Sequence, residues 1–164
     1  MLNRFARFSL AISEIDRCWH KLAAEEMSKY ELNSPHAVYL TTLYDYANGI
    51  TAAKLGELCG KNKADVSRMI AILEKKGLVH KEAVGGNFYR AKLLLTEEGK
   101  QAAEHVQRRA ALAVELAGSG MTDADREIFY RCLEGITANL QTLSKEGLPN
   151  EPFYYERNLR YEHE

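Results

Sequence analysis

"GKNKADVSRMIAILEKKGLV", Gly60 to Val79, decides how this chain folds. Val66, Met69, Ile70 and Leu73 lie at helical spacing and form one apolar face. Asn62 suits an N-cap, and Asp65 sets a carboxylate near the positive end of the helix dipole. Gly77 after Lys75-Lys76 reads as a C-cap behind cationic residues. Lys61, Asn62, Lys63, Asp65, Ser67 and Arg68 at the front build no core. A helix whose front enters something polar explains them better than one that is merely solvated.

Working backward, Thr51 caps a short helix to about Cys59, with Leu55 and Leu58 facing in and Gly60 closing it. Before that, Asn33-Ser34-Pro35 restarts the chain, with Ser34 as N-cap and Pro35 at the first helical position. That helix runs to about Ala47 and stops at Asn48-Gly49. The first segment, Asn3 to Lys29, is one long helix. Phe5, Phe8, Ile12, Ile15, Trp19 and Leu22 make a narrow seam that needs a partner helix.

Working forward, the period changes at Val79. "VHKEAV" and "FYRAKLLLT" read as strands joined at Gly85-Gly86-Asn87, a β-hairpin. Thr96 then caps a helix to about Ala117, with Glu97 and Glu98 in its first turn. Thr122 starts the last helix, where Phe129, Leu133, Ile136, Leu140 and Leu143 form a second seam. The end, "LPNEPFYYERNLRYEHE", is proline-broken and aromatic, which favours packing on the body or on a second chain over simple disorder.

Charge follows the same division. Residues 51–96 hold nine Lys/Arg against four Asp/Glu, and the remainder thirteen against nineteen, within a net charge of −1. A basic centre between acidic ends suggests that one segment meets a polyanion. A short helix, a tight turn and a second helix with a polar front form a helix-turn-helix, and the hairpin behind it makes a wing. The second helix of such a unit enters the DNA major groove.

The stretch from Thr51 to Gly99 resembles the winged helix-turn-helix of the MarR (multiple antibiotic resistance regulator) family of bacterial repressors. "LEKKGLV" (Leu73–Val79), "LTEEG" (Leu95–Gly99) and "ADVSRMI" carry the match, and the long flanking helices extend it to about Gly147. The resemblance implies a mainly α fold with a small β-hairpin wing and a long-helix dimerisation domain. It implies homodimers that bind DNA, many of them released by small phenolic or other ligands held between the two lobes. The expected division is 1–33 and 97–147 for dimerisation, 34–96 for DNA binding, and 148–164 as a tail. Pairing of chains would use Phe5, Phe8, Ile12, Ile15, Leu133, Ile136, Leu140 and Leu143.

Within that frame Arg68 and Lys63 are the leading DNA contacts. Lys61, Asn62 and Ser67 stand beside them, and Thr51 and Lys54 suit phosphates. Asp65 reads as a capping carboxylate rather than a reader of a cytosine amino group. The family's wing often carries Asp-x-Arg. Here Asn87 and Tyr89 fall at those places and Arg90 is one residue along; a one-residue shift turns a strand side chain to the other face, and a rearranged loop would still let Arg90 serve as the minor-groove arginine. Lys92 shares the face of Arg90 and suits a phosphate.

Trp19, Tyr30, His36, Tyr39, Tyr44 and Tyr46 cluster near the junction of the first two helices. They form either an aromatic pocket for an apolar acid or phenol or simple packing between lobes. The five histidines show no HxxxH or HxH spacing, so ordinary roles outweigh a metal site assembled, for instance, from His36 and His105. Cys18, Cys59 and Cys132 give no disulfide framework or zinc signature and read as small buried hydrophobes, with oxidant sensing as the alternative.

No GxSxG, phosphate-binding glycine loop or HExxH is present, so the reading is of a non-enzyme without cofactor. No apolar run approaches a bilayer span and no signal-peptide core precedes the first helix, which suggests a cytoplasmic protein. The rival readings are a winged-helix protein-interaction module and a metal- or redox-responsive regulator of the same fold.

Overall fold

The structure is a computed structural model. It describes residues 4–84 and 87–149, with the side chains of Phe5, Val84 and residues 87–90 outside that description. The hairpin turn at Gly85-Gly86, the wing side chains of Asn87, Tyr89 and Arg90, and residues 150–164 of the tail therefore lie outside the described residues.

The chain reads α1 (Arg4–Ser28), α2 (Pro35–Tyr44), β1 (Ile50–Thr51), α3 (Ala52–Cys59), α4 (Lys63–Lys75), β2 (Val79–Val84), β3 (Asn87–Leu95), α5 (Glu97–Ala117) and α6 (Asp123–Glu146). Its described residues form two compact units that divide between Leu116 and Ala117. The mainly helical architecture with a small winged sheet agrees with the sequence reading.

In the first unit, α1 ends without a glycine. Glu31 takes a left-handed φ of 55°, and Leu32 N–H reaches back to the Met27 carbonyl at 3.1 Å. Met27 and Leu32 enter the core that α2 builds with Tyr39, Leu40 and Leu43. Two expectations for α2 need correction. Ser34 occupies the N-cap position but is helical (φ −46°, ψ −40°) and its side chain makes no cap bond. Pro35, with no N–H to satisfy, leaves less for a cap to do. The helix also stops at Tyr44 rather than near Ala47, because Tyr46 N–H turns to the Leu43 carbonyl and Gly49 N–H to that of Tyr46.

That early stop frees residues for β1, a strand absent from the sequence reading. Ile50 pairs with Leu93 and Thr51 with Lys92, giving an antiparallel sheet in the order β1-β3-β2. Gly49 makes the approach possible. Its φ is +70°, and a Cβ there would sit 2.9 Å from the Leu93 carbonyl oxygen. On the other side of β3, Val79 pairs with Leu95 and Lys81 with Leu93, and the register shifts between Glu82 and Val84.

The first turn of α5 is wedged against the start of β2. Thr96 Oγ1 accepts from Gly99 N–H at 3.0 Å and donates to the Gly77 carbonyl at 2.6 Å, so one hydroxyl caps α5 and anchors the end of α4. Leu55, Val66, Ile70, Leu73, Leu78, Val79, Leu93, Leu95, Ala102, Ala103 and Val106 complete the core. Leu58, expected inside, is 43% exposed. The inward face of α3 runs through Leu55 and Cys59, four residues apart, and leaves Leu58 to one side. Cys18 and Cys132 are likewise exposed rather than buried, because they lie on α1 and α6, whose long faces meet solvent in the single chain.

In the second unit, Thr122 and Asp125 form a reciprocal capping box at the start of α6. No described residue of α6 is buried, and Phe129, Ile136, Leu140 and Leu143 are exposed. Phe8, Ile12, Ile15, Trp19 and Leu22 on α1 are exposed in the same way.

Candidate nucleic-acid interface

The α3–turn–α4 unit is fixed at each joint by a residue suited to it. Thr51 Oγ1 accepts from Lys54 N–H at 3.2 Å and starts α3. Gly56 lets the helices cross closely, since a Cβ would stand 3.0 Å from the Lys61 carbonyl oxygen and 3.1 Å from Val66 Cγ2. Gly60 turns the chain in a left-handed conformation, and Lys61 N–H closes onto the Gly56 carbonyl at 2.9 Å. Asn62 then caps α4, accepting from Asp65 N–H at 2.9 Å.

The result is a two-faced helix. Val66, Ile70 and Leu73 are buried and Met69 packs against the same core. Lys61, Asn62, Lys63, Ser67 and Arg68 are exposed. Along the exposed front runs a chain of polar contacts. Asn62 Nδ2 donates to Asp65 Oδ2 at 2.7 Å, and Arg68 Nη2 donates to Asp65 Oδ1. Asp65 is thus tied on both oxygens. The sequence reading took it as a capping carboxylate and missed the tie to Arg68, although their i, i+3 spacing is the usual signal for such a pair.

Lys54, exposed near the start of α3, pairs with Glu57 at 3.1 Å. Lys92, expected to be free for a phosphate, is half-buried and donates to the Asn48 carbonyl at 3.1 Å.

The aromatic residues divide. Tyr39 lies in the core and His36 is 2% exposed, while Tyr30 and Tyr44 pack against the core from its edge. Trp19 and Tyr46 are exposed. Burial pushes the His36 imidazole below its usual range, against a smaller opposing effect of its bond to the Asn33 backbone. His36 Nε2 and Tyr39 Oη are buried without a hydrogen-bond partner among the described residues. Tyr44 donates to Glu104 Oε1 at 2.8 Å, which together with partial burial raises the phenol's pKa.

Sequence reading also missed a carboxylate between α1 and α5. Glu26 receives Lys29 Nζ from the turn that follows α1, Arg109 Nε at 2.7 Å and His105 Nε2 at 2.9 Å. These bonds, that of Lys29 foremost, hold its pKa down at about 2. Among the described residues no three His, Cys, Asp or Glu side chains gather as metal ligands. Cys59 is half-buried, and its burial pushes the thiol up despite its bond to Thr42 and the charge of Lys61.

The three-stranded sheet, the helix-turn-helix and its exposed basic front define a winged helix-turn-helix. Residues 32–84 match the model of the MarR family. The chain is 27% identical over 130 residues to the uncharacterized HTH-type transcriptional regulator YybA of Bacillus subtilis (strain 168), covering 79% of this chain and 86% of the relative.

Two solved structures share the fold. A putative MarR family transcriptional regulator from Listeria monocytogenes, complexed with 26mer DNA, superposes with a TM-score of 0.75 at 23% identity, over 92% of this chain and 99% of that one. The S. aureus MepR-DNA complex gives 0.73 at 16% identity, over 80% and 97%. The matched family model and the shared fold are those of DNA-binding transcriptional regulators.

Proposed function

We propose that this protein is a repressor that binds a pseudo-palindromic operator as a homodimer and is released by a small apolar or aromatic effector. The observation that carries the DNA reading is α4 itself, with its back sealed into the core and its front exposing Lys61, Asn62, Lys63, Ser67 and Arg68. An α-helix of this kind fits the major groove, which is about 12 Å wide. The DNA complexes of the two structural relatives agree with that use.

In this reading residues 34–96 bind DNA, and Thr51, Lys54 and the wing set register on phosphates. Residues 1–33 and 97–147 pair two chains through the exposed seams of α1 and α6. The two α4 helices then reach successive major grooves, about 34 Å apart. Trp19, Tyr30, His36, Tyr39 and Tyr44 are the effector-binding candidates. An effector acts by binding one spacing of the α4 helices better than the other. No described helix is long and apolar enough to cross a membrane, and a regulator of this family works in the cytoplasm.

The test is selection of genomic fragments by the purified protein at moderate salt, followed by a salt titration. Enrichment of a two-fold symmetric site whose affinity falls as salt rises supports the reading, because phosphate contacts release counterions. Weak, uniform binding without enrichment favours the protein-interaction module.

A further inference from the structure

We propose that Asp65 is a specificity-determining positioning residue that commits Arg68 to the edge of a guanine and keeps it off the phosphate backbone. The proposal rests on the DNA-binding reading above and names what α4 recognises.

Three residues at successive i, i+3 steps, Asn62, Asp65 and Arg68, form one hydrogen-bonded row along the exposed front of α4. The Asp65 carboxylate is clamped from both sides. Oδ2 accepts from the Asn62 amide, whose own oxygen is fixed by Asp65 N–H, and Oδ1 accepts from Arg68 Nη2. The side chains differ in exposure. Asp65 shows 34% of its surface and Arg68 73%, so the carboxylate is seated against the helix and the guanidinium projects past it.

A guanidinium has five N–H donors in a rigid plane. Among the described residues only Nη2 is engaged, and the plane is held by a partner that is itself held. A paired guanidinium has lost most of its attraction for a phosphate, since the carboxylate repels that anion. Guanine presents neutral acceptors, O6 and N7, and takes two parallel N–H groups from arginine. The carboxylate therefore penalises the non-specific partner more than the specific one.

The experiment is selection from a random duplex library by the full-length protein and by Asp65→Asn, Asp65→Ala and Arg68→Ala, with salt titrations on the selected site and on a scrambled duplex. Each variant keeps the backbone N–H that Asn62 caps, and circular dichroism checks helix content.

The expected result is one guanine preferred in each half-site by the natural protein, by about tenfold or more over other bases. Arg68→Ala abolishes that preference while leaving the salt slope unchanged. Asp65→Ala and Asp65→Asn weaken the preference at the same base pair alone and tighten binding to the scrambled duplex. A merely structural role for Asp65 would weaken every sequence equally and overturn the proposal.

A salt slope shallower by about 0.9 in Arg68→Ala, as expected when one phosphate is no longer neutralised, would place Arg68 on the backbone. That result also overturns the proposal but leaves DNA binding standing. Failure of the natural protein to enrich any site overturns both readings.

Discussion

Arg109 Nε donates to Glu26 Oε1 at 2.7 Å, and this bond joins α5 to α1 across 83 residues of sequence. Glu26 also takes Lys29 and His105, and its side chain is only 15% exposed. Replacing it with glutamine removes the charge that three donors converge on. Glu26→Gln should cost about 1–3 kcal/mol at neutral pH, read by urea unfolding. The sign of the pH effect follows from the lowered pKa. The folded chain keeps Glu26 charged down to about 2, whereas an unperturbed glutamate protonates near 4.5. Between those values the unfolded chain binds more protons, so stability rises with pH. The Glu26 contribution is complete above about 4.5 and fades as pH falls toward 2. An equal deficit for Glu26→Gln at pH 7 and near pH 2 would contradict this account.

Two glycine substitutions should act in opposite directions. At Gly99 an added Cβ would stand 1.9 Å from the Leu78 carbonyl oxygen, which is backbone and already accepts from Thr96 N–H. Gly99→Ala should cost about 3 kcal/mol or prevent folding. At Gly135, within α6, an added Cβ meets nothing within 4 Å. Gly135→Ala should raise stability by up to about 1 kcal/mol through helix propensity. Thermal unfolding of the two variants beside the natural protein checks both signs.

The cap of α4 links stability to the proposed interface. Asn62→Ala removes the acceptor for Asp65 N–H and the amide that holds Asp65 Oδ2. The expected loss is about 1 kcal/mol in unfolding free energy. Operator affinity should fall with it, measured by fluorescence anisotropy on a labelled duplex. Retained affinity in a chain destabilised by that amount would separate the cap from recognition.

Pairing of chains should depend on the exposed seam of α6. Ile136→Glu together with Leu140→Glu places charge on a face that is apolar and open in the single chain. Sedimentation should show a shift toward monomer, and half-sites should then bind independently. A dimer of unchanged strength would assign pairing to α1 or to residues outside the described ones.

The three thiols should react in the order of their access. Cys18 and Cys132 are exposed, whereas Cys59 is half-buried with its thiol pKa raised, chiefly by burial. Alkylation at neutral pH followed by mass mapping should label Cys59 last. Fast labelling of Cys59 in the folded protein would revive an oxidant-sensing role beside α4.

The legible parts of the sequence were those written in local chemistry. Thr51, Asn62 and Thr122 each cap the helix expected of them, and Gly60 and Gly77 take the left-handed turns their positions suggested. What escaped depends on distant partners. The two residues of β1 carry no periodicity, and only pairing with Leu93 and Lys92 makes them a strand. Glu26 looks like any surface glutamate until Arg109 and His105 arrive from α5. The row from Asn62 to Arg68 has the spacing of a pair of i, i+3 contacts, but which Asp65 oxygen meets which donor is set only in the folded helix.

Thr51 belongs to two pieces of machinery at once. Its backbone pairs with Lys92 in the sheet, and its hydroxyl starts α3. The wing strand and the helix pair that presents α4 therefore share a residue and cannot swing apart freely. Such a body meets DNA with less orientational freedom to lose than two jointed parts would have. Loosening Thr51 should thus appear first as slower selection among sites and a larger entropic penalty on docking, with the chain still folded.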